Sequence, residues 1–473
     1  MLDAIQETGD LDNTLIFYVW GDNGASMEGT ITGSFNEMTF LNGVMLEPEQ
    51  QLKLINEQYG GIEAIGGEHT APHVAAAWAH AGNTPFQWGK QMASHLGGTR
   101  NPIVVAWPDR LKPDREVRSQ FTHCIDIAPT VLEAAGIPEP KQVDGIEQEP
   151  MDSTSFLYTF DDPNAPERHT VQYFEFAGSC AIYKDGWWAC AKLDRIPWDF
   201  SPETMKRFAP GVYDPEQDAW ELYYLPDDFS QARNVAAEHP DKLAELKELF
   251  WQEAERNRVL PLMGCMSILF GILPPLPTIT RFAFSGDVQN VQRGMVPRVF
   301  GRSYAIEAEL EIPDTGAEGV IVANADFIGG FALWVDEQRK LRHTYSFLGV
   351  ETYKQISDTP LPTGKVTVKM LFEADENKPG TGGQVRLWAN GKKIGEGTMP
   401  RTVPVAFSSY AGMDISCDNG LVVDLDYEDK APYTFTGTVK QVVFDLKPAT
   451  PQEQETALHE HASIHAVAHG VAA

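Results

Sequence analysis

The chain has 473 residues, with 37 Lys+Arg against 67 Asp+Glu and a formal net charge of −30. That length exceeds one ordinary domain and argues for about three, while 42% apolar and 22% charged residues exclude a disordered or fibrous chain. The acidic balance excludes a net basic nucleic-acid binder, and an anionic substrate would need a local cation or metal to reverse the field at its site.

The chain opens on Met1-Leu-Asp-Ala-Ile-Gln-Glu-Thr-Gly-Asp10, which has neither the basic start nor the apolar core of a signal peptide. The compartment stays open between cytoplasm and periplasm. Residues 14–20, Thr-Leu-Ile-Phe-Tyr-Val-Trp, form a continuous apolar, β-rich run. Such a run predicts a strand buried on both faces of a parallel sheet. A central strand so early lacks upstream neighbours, so the expectation is a chain that begins in mid-domain.

Gly21-Asp22-Asn23-Gly24 follows directly. Ligand sites of open α/β sheets lie just past the carboxyl ends of strands. A carboxylate and an amide oxygen side by side suit a hard cation, Ca²⁺ or Mg²⁺. A plain turn accounts for the same residues. Asp418-Asn419-Gly420 repeats the pattern far downstream, and there it reads as a hairpin turn.

Ser34-Phe-Asn-Glu37 predicts a capping box before a short helix, and Pro48 to Tyr59 predicts a second helix stopped by Gly60-Gly61. His69, His73 and His80 follow. Lys90 then stands among apolar and aromatic neighbours, where it could offer a point charge to an oxyanion or simply snorkel to water. Residues 102–107 predict another buried strand. Residues 125–136 predict a helix with Pro129 in its first turns and Gly136 as its stop. His123 and Asp126 sit at its entry, where capping explains them as well as catalysis does.

These segments resemble the second half of a sulfatase of the alkaline-phosphatase-like superfamily. The strand ending in Asp22-Asn23-Gly24 resembles that family's second pair of metal ligands. Asn83-Thr-Pro-Phe-Gln-Trp-Gly-Lys-Gln-Met-Ala-Ser-His-Leu-Gly-Gly-Thr-Arg100 resembles its lysine segment, as found in large bacterial arylsulfatases. Phe121-Thr-His-Cys-Ile-Asp-Ile-Ala-Pro-Thr-Val-Leu-Glu-Ala-Ala-Gly136 resembles its next helix, and Trp220-Glu-Leu-Tyr-Tyr-Leu-Pro-Asp-Asp228 resembles an element of its C-terminal subdomain. The resemblance covers roughly residues 10–258, with the four motifs in the family's order.

The resemblance implies hydrolysis of sulfate esters, aryl sulfates among them, with a divalent cation, usually Ca²⁺. It implies Asp22 and Asn23 as metal ligands and Lys90 as a sulfate-binding cation. The nucleophile of the family is a formylglycine hydrate made from a cysteine in a Cys-x-Pro-x-Arg motif. The five cysteines here, Cys124, Cys180, Cys190, Cys265 and Cys417, stand in no such setting. The family's early Asp-Asp strand, its other sulfate-binding lysine and its leaving-group histidine also lack counterparts. His73, near the lysine segment, is the best remaining histidine for a catalytic role. The odd cysteine count without a CxxC also argues against a disulfide framework or a zinc ribbon; isolated cysteines are usually small buried hydrophobes.

Downstream, residues 171–176, 180–183, 187–192 and 220–224 predict short strands. A helix from Pro240 carries Leu243, Leu246, Leu249, Phe250 and Ala254 on one stripe. The apolar run 259–276 is broken by Pro261, Pro274 and Pro275; it is too interrupted to span a membrane and reads as a linker. Residues 281–447 alternate apolar and polar in short strands with turn signals, which predicts a β-sandwich of concanavalin-like type. Trp334, Trp388 and Tyr345 could stack on a sugar there, although core packing accounts for each. His459, His461, His465 and His469 lie in a terminal segment that reads as a solvated tail.

The expected fold class is therefore α/β: the C-terminal half of an alkaline-phosphatase-like sulfatase domain at 1–165 and a small α+β subdomain at 166–258. A linker at 259–280, an all-β sandwich at 281–448 and a tail at 449–473 complete it. Expected partners are a small-molecule sulfate ester and an N-terminal half carried on a separate chain, with no nucleic acid and no membrane span. Two alternatives stay open: an inactive scaffold whose intact unit is a sugar-binding sandwich, and a phosphatase or phosphodiesterase of the same superfamily.

Overall fold

A computed structural model describes the chain except residues 22, 113–115, 195, 200–203, 205–206, 209–212, 263–278 and 447–473. The tail histidines, Cys265 and most of the predicted linker therefore lie outside the described residues, as does Asp22. The chain divides into two compact units. One comprises residues 1–27 with 77–270, and the other residues 28–76 with 271–463. Residues 28–76, read from the sequence as part of the first domain, thus pack in the second unit.

The first unit mixes helices with small antiparallel sheets. Strand β1 (Ile16–Val19) pairs with β2 (Ile103–Ala106) in a two-stranded antiparallel ribbon, Ile16 opposite Ala106 and Val19 opposite Ile103. Strands β3 (Gln142–Val143) and β4 (Ile146–Glu147) form a short hairpin. The expectation of a parallel strand buried on both faces is corrected here. Tyr18, Val19, Trp20 and Val104 are exposed, and an apolar run fits a half-covered ribbon as readily as a central strand, because periodicity does not report the number of covered faces.

Strands β5 (Val171–Phe176), β6 (Ser179–Lys184), β7 (Trp187–Ala191) and β8 (Trp220–Tyr224) make a four-stranded antiparallel sheet in sequential order. Strand side chains alternate between faces, and the two faces of this sheet do different jobs. Ile182, Ala189, Ala191 and Leu222 face Leu246 and Phe250 of the helix Pro240–Arg256. That helix starts on Pro240, where a missing N–H costs nothing, and buries Leu246, Phe250 and Ala254 as its sequence stripe predicts. Ala181, Tyr183, Trp188, Cys190 and Tyr223 take the opposite face and pack against Leu96 of the lysine segment. The sheet is therefore the platform on which that segment rests.

The helix Ile127–Ala135 forms where expected and stops at Gly136, whose φ of 68° is left-handed, a conformation glycine adopts without a Cβ penalty. At its entry Asp126 is fully buried and accepts hydrogen bonds from the backbone N–H of His123 (2.8 Å) and Thr154 (2.8 Å).

The second unit is built on two antiparallel sheets. Its strands are β9 (Arg281–Ser285), β10 (Tyr304–Ile312), β11 (Gly319–Asp326), β12 (Gly329–Val335), β13 (Lys340–Phe347), β14 (Glu351–Pro360), β15 (Gly364–Ala374), β16 (Gly383–Ala389), β17 (Lys392–Met399), β18 (Met413–Ile415) and β19 (Thr438–Leu446). A six-stranded sheet runs β17-β16-β15-β10-β19-β9 and a five-stranded sheet runs β14-β13-β12-β11-β18. Both contribute to one apolar core, with Ile306, Val368 and Phe444 from the first meeting Ile321, Phe331 and Leu341 from the second.

The segment 28–76 packs on that core through Met38, Leu46, Leu54 and Tyr59. Its helix Pro48–Gln58 forms as predicted. The predicted capping box at Ser34 is corrected: the helix is Glu37–Leu41, and Asn36 is the cap, its side chain accepting from the Met38 N–H. Ser34 instead donates its hydroxyl to Asn36 O at 2.7 Å. Asp418-Asn419-Gly420 is not a hairpin turn either. Asp418 is buried and accepts from the Val423 N–H (2.8 Å) and the Tyr427 hydroxyl (2.6 Å), so it orders the loop after β18 rather than joining two strands.

Candidate functional site

Two loops of the first unit converge just past β1. The Lys90 N–H donates to Ala25 O at 3.2 Å. Asn83 bridges the same loops: its Oδ1 accepts from the Ala25 N–H (3.1 Å) and its Nδ2 donates to Trp88 O (2.9 Å). The approach is close enough to demand glycine. A Cβ on Gly24 would lie 2.2 Å from Gly97 O and 2.6 Å from Lys90 N, and one on Gly89 would lie 2.7 Å from Ala25 O. The residues flanking Lys90 are held in unusual conformations, Trp88 at φ 63° and Gln91 at φ 76°. Left-handed backbone at a bulky residue persists only where its surroundings over-determine it.

The structure thus brings the Asn23-Gly24 turn and the Lys90 loop together, with Asn23 exposed and Lys90 half-buried. Asp22, the other predicted ligand, lies outside the described residues. His73 belongs to the second unit. Its Nε2 is 2.6 Å from Glu37 Oε2 and its Nδ1 is 4.0 Å from Glu28 Oε2; the Tyr410 hydroxyl donates to the other oxygen of Glu37.

The lysine segment is clamped to the four-stranded sheet by buried polar contacts. The Leu96 N–H donates to Gln231 Oε1 at 2.7 Å, and Gln87 Nε2 donates to Gln231 O. The Trp188 indole N–H donates to Ser94 O (2.8 Å), and the Ser94 N–H donates to Ser179 Oγ (3.2 Å). His95 Nε2 lies 3.2 Å from Glu221 Oε2, which also accepts from the Tyr223 hydroxyl at 2.7 Å. The His95 hydrogen bond holds the Glu221 carboxyl below its ordinary range, against the opposing effect of burial. Arg100 stacks over Phe229 at 4.1 Å from the ring centroid, and burial lowers its pKa.

Sequence reasoning did not single out Asn83, Ser94, His95, Gln231 or Glu221 as positioning residues. Asn83, Ser94, His95 and Glu221 lie inside the quoted motifs, so the signal was their membership of those motifs. Gln231 carried none. His123 and Asp126 are absorbed by structure. Both His169 ring nitrogens meet acceptors, Nδ1 at 2.7 Å from Asp126 Oδ2 and Nε2 at 3.0 Å from Val171 O, which fits a doubly protonated imidazolium. Burial pulls the His169 pKa down, but the hydrogen bond and charge of Asp126, helped by Val171 O, leave it raised. In the second unit Trp334 and Tyr345 are buried in the core, Trp334 donating to Thr344 Oγ1 at 3.0 Å; neither presents a face to a sugar. Trp388 is half-buried. Among the described residues no helix is long and apolar enough to cross a membrane.

Comparison with known proteins gives the site its context. The sulfatase family model matches residues 1–137. An uncharacterized sulfatase of Schizosaccharomyces pombe is 26% identical over 266 residues, 55% of this chain and 41% of the relative. Steryl-sulfatase of Rattus norvegicus is 28% identical over 130 residues, 27% of this chain and 22% of the relative. The chain therefore spans less than half the length of the curated relatives it matches. Among solved structures, one described under the metabolism of multiple glycosaminoglycans by Bacteroides thetaiotaomicron is 21% identical, covers 53% of this chain and 41% of its own, and has a TM-score of 0.29. A Ruminococcus gnavus IT-sialidase CBM40 bound to sialyllactose is 12% identical, covers 38% of this chain and 95% of its own, and has a TM-score of 0.25. Those structural likenesses are too slight to bear on the reading of the site. The family match and the two sulfatase relatives agree: residues 1–137 match the sulfatase family model, and that family is one of sulfuric ester hydrolases.

Proposed function

We infer that this chain supplies the cation-and-lysine half of an arylsulfatase-type active site. The observation that carries the reading is the stitching of the Asn23-Gly24 turn to the Lys90 loop through Lys90 N and Ala25 O. Two segments 65 residues apart or so in the chain are thereby held side by side where β1 ends, as a half-site for a charged ester requires. Lys90 would neutralise a sulfuryl oxygen as charge develops on it, and the fixed backbone on either side would hold its ammonium stem in place.

The donor chemistry at the turn fits a hard divalent cation. Asp22 and Asn23 would offer a carboxylate and an amide oxygen to Ca²⁺ or Mg²⁺, which when bound polarises a sulfuryl oxygen as a Lewis acid. Ca²⁺ takes about six to eight oxygens, so these two residues would be part of a larger ligand set. The cysteines do not fit the formylglycine nucleophile, because none stands in the Cys-x-Pro-x-Arg setting. The nucleophile is accordingly assigned to residues outside this sequence, carried on a longer protein or on a separate N-terminal chain. His73, which pairs with Glu37 in the second unit, is given no part in this half-site.

The test compares this chain with the protein captured from its native source by an antibody raised against it. With Ca²⁺ present, the captured protein is expected to hydrolyse a chromogenic aryl sulfate, and the chain alone is not. Metal-dependent turnover by the chain alone, abolished by Asp22→Ala, would place the nucleophile inside this sequence. Turnover of nitrophenyl phosphate in preference to nitrophenyl sulfate would overturn the sulfate reading.

A further inference from the structure

A second cluster of ligating side chains lies on the sheet face beneath the lysine segment. Cys190 of β7 and Glu221 of β8 are direct cross-strand partners, so their side chains emerge on the same face. His95 comes down on that face from the lysine segment. One ligand atom from each of the three, the His95 imidazole nitrogen, the Cys190 thiol and a Glu221 carboxylate oxygen, all lie within 4.8 Å of one another. Among the described residues this is the one group of three such side chains so close together. We propose that His95, Cys190 and Glu221 form a transition-metal site, with zinc the best-fitting ion, that pins the lysine segment to the four-stranded sheet.

Geometry supports the assignment. Zinc binds nitrogen, oxygen and sulfur at about 2.0–2.3 Å, so donors around a tetrahedral ion stand about 3.4 Å apart; His95 Nε2 and Glu221 Oε2 are already 3.2 Å apart. The other donor pairs lie within 4.8 Å and would contract by up to about 1 Å to close on an ion. Donor type supports it as well. A thiolate with an imidazole selects zinc over the hard cations expected at an all-oxygen site such as Asp22 and Asn23.

Charge and surroundings agree. A divalent ion with one thiolate and one carboxylate is neutral, which is the arrangement a buried position tolerates. His95 and Cys190 are buried, while the Glu221 side chain retains 35% exposure, which leaves one ligand open to solvent. The outer contacts are of the orienting kind: Ser94 Oγ sits 2.8 Å from His95 Nδ1, and the Tyr223 hydroxyl holds Glu221 Oε2 at 2.7 Å. Binding at neutral pH converts the Cys190 S–H to metal thiolate and releases one proton to solvent. The proton that His95 Nε2 donates to Glu221 moves to Nδ1, where Ser94 Oγ can accept it, so the net release stays one.

This site is independent of the sulfate reading, and its test reads metal rather than activity. The purified full chain is stripped with chelator and titrated with Zn²⁺ and, separately, with Co²⁺. One zinc per chain with release of one proton is expected at this site, and the cobalt form is expected to show a thiolate-to-cobalt charge-transfer band. The tail histidines His459, His461, His465 and His469 can also take these ions but cannot give that band. Cys190→Ser is expected to abolish the band, and His95→Gln to weaken zinc by at least about tenfold. Should Cys190→Ser fail to fold, the wild-type chain decides: its melting temperature is expected to rise with zinc and fall with chelator. Cobalt bound without a thiolate band, a band that survives in Cys190→Ser, or a wild-type melting temperature indifferent to zinc would each overturn the proposal.

Discussion

The Lys90 N–H reaches Ala25 O at 3.2 Å, and Asn83 ties the same two loops together from the side. This join fixes the backbone of a lysine loop against the turn that follows β1. The position of the Lys90 backbone is thus set by main-chain contacts.

Gly24 is the most exacting point of that join. Its φ is 83°, and a Cβ there would lie 2.2 Å from Gly97 O. Gly24→Ala must therefore either part the loops or distort the backbone. A loss of about 2 kcal/mol or more in the stability of the first unit is expected, read by denaturant titration.

Gln231 is expected to matter at a distance from the lysine. Its buried side chain satisfies the Leu96 N–H. Gln231→Leu leaves that donor unpaired and is expected to cost about 1–3 kcal/mol. Hydrogen exchange should show the protection of Leu96 falling more than that of the helix Pro240–Arg256.

The Asp126–His169 pair makes the first unit sensitive to pH. A histidine whose pKa is raised on folding stabilises fully below its unfolded value of about 6.5, and that contribution is lost as pH rises through the higher folded value. Stability of the first unit is thus expected to decline from pH 6.5 upward on this account. Asp126→Asn should flatten that decline and cost about 3 kcal/mol, the usual penalty for breaking a buried pair. Melting temperatures across pH 5.5–8.5 or so check both.

These sites also show what sequence can and cannot report. The helices Pro48–Gln58, Ile127–Ala135 and Pro240–Arg256 and strands β5 to β8 were legible because each carries its own local signal: a proline start, a glycine stop, a stripe or an alternation. The pairing of β1 was not, because Ile16–Val19 reads the same whether one or both faces are covered. Asp418 was misread as a turn residue because Asp-Asn-Gly is a local pattern, whereas its burial depends on Tyr427 and Val423 folding over it. The lysine segment was visible through its motif. The meeting of His95 with Cys190 and Glu221 was not, because it depends on the β7–β8 register and on which face of the sheet the segment crosses.

Asp418 and Asp326 give the second unit the opposite kind of acid response from ordinary carboxylates. Burial raises Asp418 to about 7 and Asp326 to about 6. A carboxyl whose folded pKa exceeds its unfolded value binds its proton more tightly in the native state, so stability falls as pH rises between the two values. These two carboxyls are expected to add stability to the second unit on acidification from pH 7 toward about pH 4, opposed below about pH 6.5 by His343, which burial lowers to about 4. Asp418→Asn, which keeps an acceptor for Val423 N and Tyr427, should remove part of that dependence in a pH series of melting temperatures.

The most direct measurement is the turnover of a chromogenic aryl sulfate by the protein from its native source, set against the same protein carrying Lys90→Ala. With Ca²⁺ present, kcat/KM is expected to fall by about 10²–10³-fold, the usual loss when a group stabilising developing negative charge is removed. The fold, followed by circular dichroism, should be unchanged. An unaltered kcat/KM in the folded variant would contradict the assignment of Lys90 to the sulfate, and with it the half-site built on Ala25 and Lys90.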